Sequence, residues 1–204
     1  NRCGWDGSHR NYYGIYMASS SNNTLTGNTC NSNQFFGIYL ISSSANTRTG
    51  NTCGENSSGI YLSSSNNNTL TGNTCNSNFD GIYLSSSSNT LTGNTCNSNS
   101  YYGIGLSSSN SNTIYLNNLS NNTVGNAYVS SGSGNTWHSP TPIYYDYTSG
   151  SFHKNYLGNY YSDYDTTGQD VNRDGIGAGV YSATGMTDNY PLMDTSACYL
   201  LQAW

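Results

Sequence analysis

The chain has 204 residues, of which only 7% are charged, and its formal net charge is −5. With five basic residues it lacks the clustered Lys and Arg that nucleic acid binding requires. No stretch approaches the roughly 18 apolar residues of a membrane span, and no signal peptide is recognisable. Because the chain starts at Asn1 rather than Met, we expect a mature or excised segment.

A short sequence motif recurs along the first half of the chain. It is GIYM at 14–17, GIYL at 37–40, 59–62 and 81–84, and GIGL at 103–106, in steps of 23, 22, 22 and 22 residues. A second motif, LTGNTC or RTGNTC, ends at Cys30, Cys53, Cys75 and Cys96. Repeats of about 20–50 residues are typical of solenoids. The fixed phase of the apolar residues argues against a disordered Ser/Asn tract.

Each repeat predicts three short strands. A helix–turn–helix repeat needs about 34 residues, and the frame of a leucine-rich repeat is absent. Short β-rich runs flanked by Gly, Asn and Ser indicate strands near GIYL, NTLTG and NTC, joined by turns. We therefore predict an all-β fold, a right-handed single-stranded parallel β-helix of about six rungs over 1–138. An irregular cap rich in Tyr and Asp should follow over 139–204.

Alternation within GIYL assigns the two faces of the first strand. Ile and Leu should point inward, which places Tyr16, Tyr39, Tyr61 and Tyr83 in an outward column. A second aromatic set precedes the glycines and comprises Tyr12, Tyr13, Phe35, Phe36, Phe79, Tyr101 and Tyr102. Exposed aromatic columns mark contact surfaces, here for sugar rings or for a like subunit. The alternative for the second set is that it only shields the corners of the coil.

Asn and Cys form further columns. Hydrogen-bonded ladders are predicted at Asn23, Asn46, Asn68, Asn89, Asn112 and Asn135, and at Asn28, Asn51, Asn73, Asn94 and Asn117. Parallel Cβ vectors disfavour disulfides between stacked cysteines. Cys3, Cys30, Cys53, Cys75 and Cys96 are therefore predicted to be free core residues, with Leu119 next in the column. Cys198 stands apart, either free or paired with another chain.

Arg48 breaks the apolar pattern, because it occupies the position of Leu25, Leu70 and Leu91. A buried, unpaired guanidinium is costly. We expect either a local displacement of the strand or an outward swing of Arg48 to a carboxylate, of which Glu55 is the nearest in sequence. At the end of the repeats, Trp137 falls at the same position and should plug the core.

The cap contains a segment with the spacing of a calcium loop. Asp170, Asn172 and Asp174 alternate before Gly175, and the Ile176 carbonyl can add a ligand. The closing Glu of an EF-hand is missing, so Asp163, Asp165 or Asp188 should complete a structural Ca²⁺ site from outside the loop. The alternative is an Asp/Asn/Gly turn without metal.

Together these motifs resemble the NosD-type family of parallel β-helix repeat proteins, which is abundant among secreted and surface proteins of methanogenic archaea. The rung phrase GIYLSSSNNNTLTGNTCNSN carries the resemblance over roughly 1–137, and the segments GNYYSDYD, DVNRDGIGAGVYS and TDNYPLM carry it over the cap. The resemblance implies an extracellular β-helix associated with carbohydrate or the cell envelope. The family's copper label is not supported here, since His9, His138 and His153 show no clustered ligand spacing.

Three functions remain open. The first is an extracellular structural or adhesive cell-surface protein that contacts glycans or like subunits. The second is a carbohydrate-cleaving enzyme, which needs two carboxylates about 5–10 Å apart, whereas the repeats offer only Asp6, Glu55 and Asp80. The third is self-assembly into a filament or sheath through open rung ends, since the chain starts in mid-rung. Secretion would permit N-glycosylation at Asn22, Asn56, Asn67, Asn118 and Asn121.

Overall fold

A computed structural model describes residues 3, 9–148, 150–167 and 169–202. Short strands fill residues 13–129, and three successive strand positions make one turn of a coil. The strands are β1 (Tyr13–Ala18), β2 (Thr24–Thr26), β3 (Phe36–Ile41), β4 (Thr47–Thr49), β5 (Ser58–Ser63), β6 (Thr69–Thr71), β7 (Asp80–Ser85), β8 (Thr90–Thr92), β9 (Thr95–Asn97), β10 (Tyr102–Leu106), β11 (Thr113–Tyr115), β12 (Asn118–Ser120) and β13 (Gly125–Val129).

The strands of successive turns stack as three parallel sheets. The first sheet has the order β1-β3-β5-β7-β10-β13, the second β11-β8-β6-β4-β2, and the third contains β9 and β12, extended by bridges from Thr29 through Thr52 and Thr74 to Thr95. The pairing is in register, with Ile15, Ile38 and Ile60 as direct partners in the first sheet. The predicted parallel β-helix is confirmed, and the six strands of the first sheet span five full turns.

Inward residues form apolar columns inside the coil. Ile38, Leu40, Ile60 and Leu62 are completely buried, as the alternation within GIYL predicts. The cysteines from Cys30 to Cys96 are also completely buried and free, and Leu119 and then Tyr161 follow in register. The prediction of a buried, free thiol column is therefore confirmed for these four cysteines, whereas Cys3 is free but only half-buried. Cys198 is free as well and is half-buried in the cap.

Asparagines form three ladders rather than the two predicted. In each ladder, the backbone N–H and side-chain Nδ2 of one Asn donate to the Oδ1 of the Asn one turn later; Asn51, for example, donates to Asn73 at 3.0 and 2.9 Å. The unpredicted third ladder comprises Asn33, Asn56, Asn78, Asn99 and Asn122. The ladders satisfy buried polar groups at the corners, which is a condition for burying them at all.

Arg48 contradicts both sequence-based expectations. It stays in register with Leu25 and Leu70, and its side chain is completely buried. Its Nη2 donates to the Oδ1 of Asn68 at 3.0 Å, while its Nε and Nη1 have no partner among the described residues. Glu55 instead accepts a hydrogen bond from the hydroxyl of Ser32 at 2.6 Å. The strand holds its place because its backbone hydrogen bonds to both neighbours outweigh the misfit of one side chain.

The C-terminal segment folds against the last turn of the coil. Its strands are β14 (Ile143–Tyr147), β15 (Ser151–Asn155), β16 (Tyr160–Tyr161), β17 (Tyr181–Ala183), β18 (Met186–Asp188) and β19 (Tyr199–Leu201), with a 3₁₀ turn at Ser196–Cys198. β14 pairs with β15 and β19, and β17 pairs with β18, all antiparallel. β16 instead pairs in parallel with β12 and extends the third sheet of the coil. The boundary at 138/139 stays a prediction.

Trp137 closes the apolar interior at the C-terminal end of the coil. It is 2% exposed and packs in the same cluster as Met186 and Tyr181 of the cap. A second apolar cluster, built around Tyr145, Leu157 and Leu192, holds the cap together. The strand edge of the last turn is therefore covered by protein, since the backbone N–H of Val129, for example, donates to the Thr184 carbonyl at 2.9 Å.

Candidate carbohydrate-binding surface

An aromatic face covers the outside of the first sheet. Its central column contains Tyr16, Tyr39, Tyr61 and Tyr83, which occupy the same position of β1, β3, β5 and β7. The rings of Tyr39 and Tyr61 stack with centroids 5.3 Å apart and planes at 4°. Only Tyr16 is strongly exposed, at 52%, while the other three are half-buried against one another and against neighbouring rings. The column is therefore a continuous aromatic strip in which the rings contact one another, at angles from 4° between Tyr39 and Tyr61 to 56° between Tyr61 and Tyr83.

The aromatic residues that precede the repeated glycines contact the rings of the central column. Tyr13 and Phe36 stack at 5.8 Å, and the Phe36 ring also lies 4.9 Å from Tyr39 and 4.8 Å from Tyr61. One residue earlier, two stacked pairs project into solvent, namely Tyr12 with Phe35 and Phe79 with Tyr101. These four rings are 37–63% exposed, so the most accessible aromatic area lies beside the predicted column rather than in it.

The aromatic face continues to the end of the coil after one interruption. Gly105 takes the place of a tyrosine in β10, and a Cβ there would lie 2.8 Å from the Tyr83 ring, which occupies that space. In the next turn Tyr128 resumes the column, and its ring stacks on Tyr102 at 4.4 Å with an angle of 3°. The face thus reaches from β1 to β13.

A single buried carboxyl group lies within the aromatic face. Asp80 is 8% exposed, is in register with Ser58, and accepts a hydrogen bond from the backbone N–H of Tyr102 at 3.2 Å. Burial raises the pKa of Asp80 to about 6, although the Tyr102 N–H opposes the shift. A carboxyl group with this pKa exchanges its proton near neutral pH, which is the property of a general acid or base.

An open cleft of about 690 Å³ separates the end of the aromatic face from the cap. Tyr102 and Tyr128 form its wall on the coil, while Tyr164, Tyr181, Asp163 and Gln169 line it on the cap. Asp163 accepts hydrogen bonds from the Asn126 amide at 2.6 Å and the Tyr181 hydroxyl at 3.2 Å. Tyrosine rings beside carboxylate and amide oxygens suit a sugar, which offers an apolar ring face and hydroxyl groups. The sequence did not indicate this cleft, because it joins segments about 40–80 residues apart.

The predicted calcium loop forms a turn held by its own acidic side chains. Both carboxylate oxygens of Asp170 accept backbone N–H groups, from Asp174 at 3.0 Å and Gly175 at 3.2 Å. Asp174 accepts from the Ile176 N–H and from the Asn155 amide, and Asn172 is exposed. The loop lines a small open pocket of about 180 Å³.

The structure does not bring the three outer aspartates to this loop. Asp163 faces the cleft, Asp165 caps the N–H of Thr167, and Asp188 is fully buried beneath Asn159 and Tyr161. Across the described ranges, no three His, Cys, Asp or Glu side chains converge as a metal site needs. Completion of the site by Asp163, Asp165 or Asp188 stays a prediction without a supporting contact. Hydrogen bonds hold Asp163 to Asn126 of the coil and to Tyr181, Asp165 to Thr167, and Asp188 to Asn159 and Tyr161.

The predicted glycosylation residues differ in accessibility. Asn22, Asn67 and Asn121 are exposed and have a positive φ of 54–60° at corners of the coil. Asn118 is half-buried and holds Ser196 through two hydrogen bonds. Asn56 is only 6% exposed, and its Nδ2 donates within the third ladder to Asn78 and to the Cys30 carbonyl. A glycan on Asn56 would require this nitrogen to leave the ladder, whereas Asn22, Asn67 and Asn121 are accessible without such a change.

Comparison with known proteins identifies relatives by family and by fold. The model of the family "Periplasmic copper-binding protein (NosD)" matches residues 3–166. None of the curated proteins matches the chain significantly. The crystal structure of the periplasmic alginate epimerase AlgG matches with a TM-score of 0.57 and 22% sequence identity. The match covers 66% of this chain and 37% of the epimerase chain. The structure of a point mutant of that epimerase has a TM-score of 0.54 and 22% sequence identity. The match covers 60% of this chain and 35% of the mutant epimerase.

The comparison with the epimerase concerns the fold alone at this identity, and the chain spans just over a third of the epimerase's length. Within the described residues there is no helix with the length and apolarity to cross a membrane.

The copper in the family description has no fitting site in the described residues. Copper favours Cys, Met and His ligands, but the three histidines lie apart. His138 packs between Tyr156 and Tyr190, His153 lies 5.5 Å from the Tyr145 ring, and His9 precedes β1. The cysteine column is sealed in the core beside apolar side chains. No chemical step is derived from copper for this chain.

Proposed function

Because the chain belongs to the NosD family, we propose that it is an extracellular or periplasmic adhesive protein that binds glycans along its aromatic face. The observation that carries the proposal is the continuous column of contacting rings from Tyr16 through Tyr39 to Tyr61, with centroids 5.3–5.4 Å apart. A cleft containing acidic and amide groups lies at the other end of the same face. A solenoid offers such long flat surfaces instead of one enclosed pocket.

The chemistry of the face matches a polysaccharide better than a small ligand. Tyrosine provides a large apolar contact at low entropic cost and a hydroxyl group that hydrogen-bonds at its edge. Rings that recur at each turn offer repeated contacts to a polymer that lies along the coil axis. The family description names periplasmic proteins, and the epimerase with the shared fold is named for the polysaccharide alginate.

The proposal is tested by glycan binding. The variant Tyr39→Ala plus Tyr61→Ala should weaken retention on envelope polysaccharide at least tenfold, because each ring contributes about 1 kcal/mol or more of stacking. Phe152→Ala, which removes a 51% exposed ring from the cap, is the matched control and should bind normally. Equal retention of the double variant and the control, with both folded, contradicts the proposal.

Carbohydrate cleavage is the alternative, and Asp80 is the observation that favours it. Its pKa of about 6 and its position among tyrosines suit proton transfer to or from a bound sugar. Release of reducing sugars from a bound polysaccharide by the wild type, lost in Asp80→Asn while binding is retained, would establish the enzyme. Retained binding without release supports the adhesive protein.

Self-assembly is a further part of the proposal, with the aromatic face as the contact between like subunits. Stacking of coils through the C-terminal strand edge would require the cap to move, since the cap covers that edge. Sedimentation at several protein concentrations tests this, and a filament predicts a mass that rises with concentration for the wild type but not for Tyr39→Ala plus Tyr61→Ala.

We also propose that a structural Ca²⁺ binds the loop through Asp170, Asn172, Asp174 and the Ile176 carbonyl. Support comes from the sequence spacing of the oxygen-bearing residues and from the pocket beside them. Water would complete the coordination in place of a third carboxylate, which makes the site weak.

A further inference from the structure

A small pocket lies where the first asparagine ladder ends. Gly132, Ser133, Gly134, Asn135 and Trp137 line it on the coil, and residues 185–187 line it on the cap. Its volume is about 310 Å³, enough for a small organic group. We call it the ladder-end pocket. It is separate from the cleft, with which it shares no lining residue of the coil.

All three ladders run in the same direction. Asn23 donates to Asn46 and Asn112 donates to Asn135, so the hydrogen bonds between asparagines all point toward the C-terminal end of the coil. The second Nδ2 hydrogen points the other way, to a carbonyl of the preceding turn, as from Asn112 to Ser86. The last Asn of each ladder consequently carries donors without a further Asn to accept them. Aligned N–H groups of this kind create positive potential and favour a negatively charged acceptor.

Two ladders end on an aspartate of the cap. In the second ladder, Asn159 follows Asn117 and donates its N–H to Asp188 at 2.8 Å and its Nδ2 at 3.3 Å, as it would to a further asparagine. In the third ladder, the Nδ2 of Asn122 donates to the Oδ1 of Asn126 at 2.8 Å, and the Nδ2 of Asn126 donates to the Oδ1 of Asp163 at 2.6 Å. A carboxylate ends a ladder well because it accepts hydrogen bonds and has no donor of its own.

The first ladder ends without a carboxylate. Asn135 accepts from Asn112, and its Nδ2 donates to the Ser109 carbonyl at 2.8 Å. Among the described residues, its backbone N–H has no acceptor. Trp137, which also lines the pocket, has a buried indole N–H with no partner in the same part of the chain. Donors therefore remain where the other two ladders hold an acid.

We propose that the ladder-end pocket binds the carboxylate group of a ligand, which ends the first ladder as Asp188 and Asp163 end the other two. The ligand is either a sugar acid of a polysaccharide or a free organic acid. The carboxylate accepts from the Asn135 N–H and Nδ2, and no proton or covalent bond changes. Lys and Arg are absent from the pocket lining, so neutral donors carry the recognition.

Trp137 provides a direct measurement. Trp5→Phe plus Trp204→Phe leaves it as the only tryptophan of three. This protein is titrated with sodium acetate, sodium glucuronate, glucose and sodium chloride at matched ionic strength. We expect a saturable change in Trp137 emission with both carboxylates and no saturable change with glucose or chloride. Tenfold tighter binding of glucuronate identifies a sugar acid as the ligand, and equal binding identifies a free acid.

Three variants in the same background separate the site from general effects. Asn135→Asp and Thr187→Asp should weaken acetate binding at least tenfold, the first by replacing the donor amide and the second by placing a charge at an exposed rim position. Asn23→Asp, at the opposite end of the same ladder, should bind acetate like the parent. No response to either carboxylate, an equal response to chloride, or unchanged binding by a folded Thr187→Asp overturns the proposal. Aromatic-face variants leave this site intact, so the two proposals fail separately.

Discussion

Inside the coil, Arg48 occupies a position that Leu25 and Leu70 fill in the adjacent turns. Burial lowers the pKa of its guanidinium to about 9, since the charge loses water and gains only the amide oxygen of Asn68. Replacement of a buried, poorly paired charge by an apolar side chain of similar volume often stabilises a protein.

Arg48→Leu should therefore raise the free energy of unfolding by about 1–4 kcal/mol, measured by urea denaturation. Arg10→Leu, which replaces an exposed arginine, serves as the control and should change it by less than about 0.5 kcal/mol. Destabilisation by Arg48→Leu would show that the guanidinium has partners that lower its cost.

Because the pKa of Asp188 is raised in the folded protein, we expect the stability to depend on pH. Burial raises its pKa to about 6, against the opposing effect of hydrogen bonds from Tyr190, Asn159 and Tyr161. The folded protein therefore holds the proton more tightly than the unfolded chain. Stability should fall as the pH rises from about 4 to 6, by about 3 kcal/mol for a pKa difference of this size, and stay lower above pH 6.

Thermal unfolding between pH 3.5 and 7.5 measures this fall. Asp188→Asn should flatten the curve, while Asp165→Asn, at an exposed carboxyl, should leave its slope above pH 4 unchanged. Asp80, whose pKa is also raised to about 6, contributes a fall in the same range, so some slope remains in Asp188→Asn. An identical slope in the wild type and Asp188→Asn would contradict the assignment.

At the level of the elements, the asparagine ladders link successive turns of the coil by hydrogen bonds, as salt bridges or disulfides link elements in other proteins. Asn73 accepts two hydrogen bonds from Asn51 and donates to Asn94 and to the Arg48 carbonyl, all inside the coil. Loss of the side chain leaves several buried donors and acceptors without partners, each at a cost of about 1–3 kcal/mol.

Asn73→Ala should lower the free energy of unfolding by about 3–5 kcal/mol, measured by urea denaturation with the slope unchanged. Asn189→Ala, at an exposed asparagine of the cap, should have an effect below about 0.5 kcal/mol. A small loss in Asn73→Ala would mean that water replaces the ladder contacts.

The repeated elements were predictable because register follows directly from a fixed repeat length. The inward Ile and Cys columns and two asparagine ladders were therefore visible in the sequence. The third ladder has a sequence signal too, since Asn33, Asn56, Asn78 and Asn99 recur at steps of 23, 22 and 21 residues. The inward position of Arg48 does not follow from its polarity, because backbone pairing with both neighbouring strands fixes the position of its strand.

At the scale of the whole molecule, the contacts between the cap and the coil could not be predicted from the sequence. It has no repeat, so nothing in its spacing indicates that Asp163 and Asp188 lie at ladder ends or that Tyr164 and Tyr181 face Tyr128 across a cleft. Such contacts depend on long-range packing. The loop at 170–176 was recognisable only because its side chains act locally.

Calcium should stabilise the cap and through it the coil. After chelation, addition of millimolar Ca²⁺ should raise the melting temperature of the wild type by a few degrees, as expected for a ligand that binds only the folded state. Asn172→Ala, which removes an exposed ligand, should abolish the shift, and Asn66→Ala, at an exposed asparagine of the coil, should keep it. A shift of equal size with Mg²⁺, or none with Ca²⁺, would contradict the site.

The thiol column also determines how the molecule responds to oxidising surroundings. Burial raises the pKa of Cys75 well above its usual value, and Cys30, Cys53 and Cys96 are likewise sealed from solvent. Oxidants and other disulfides react with the thiolate at an accessible sulfur. We therefore expect these four thiols to stay reduced and unmodified even in oxidising surroundings.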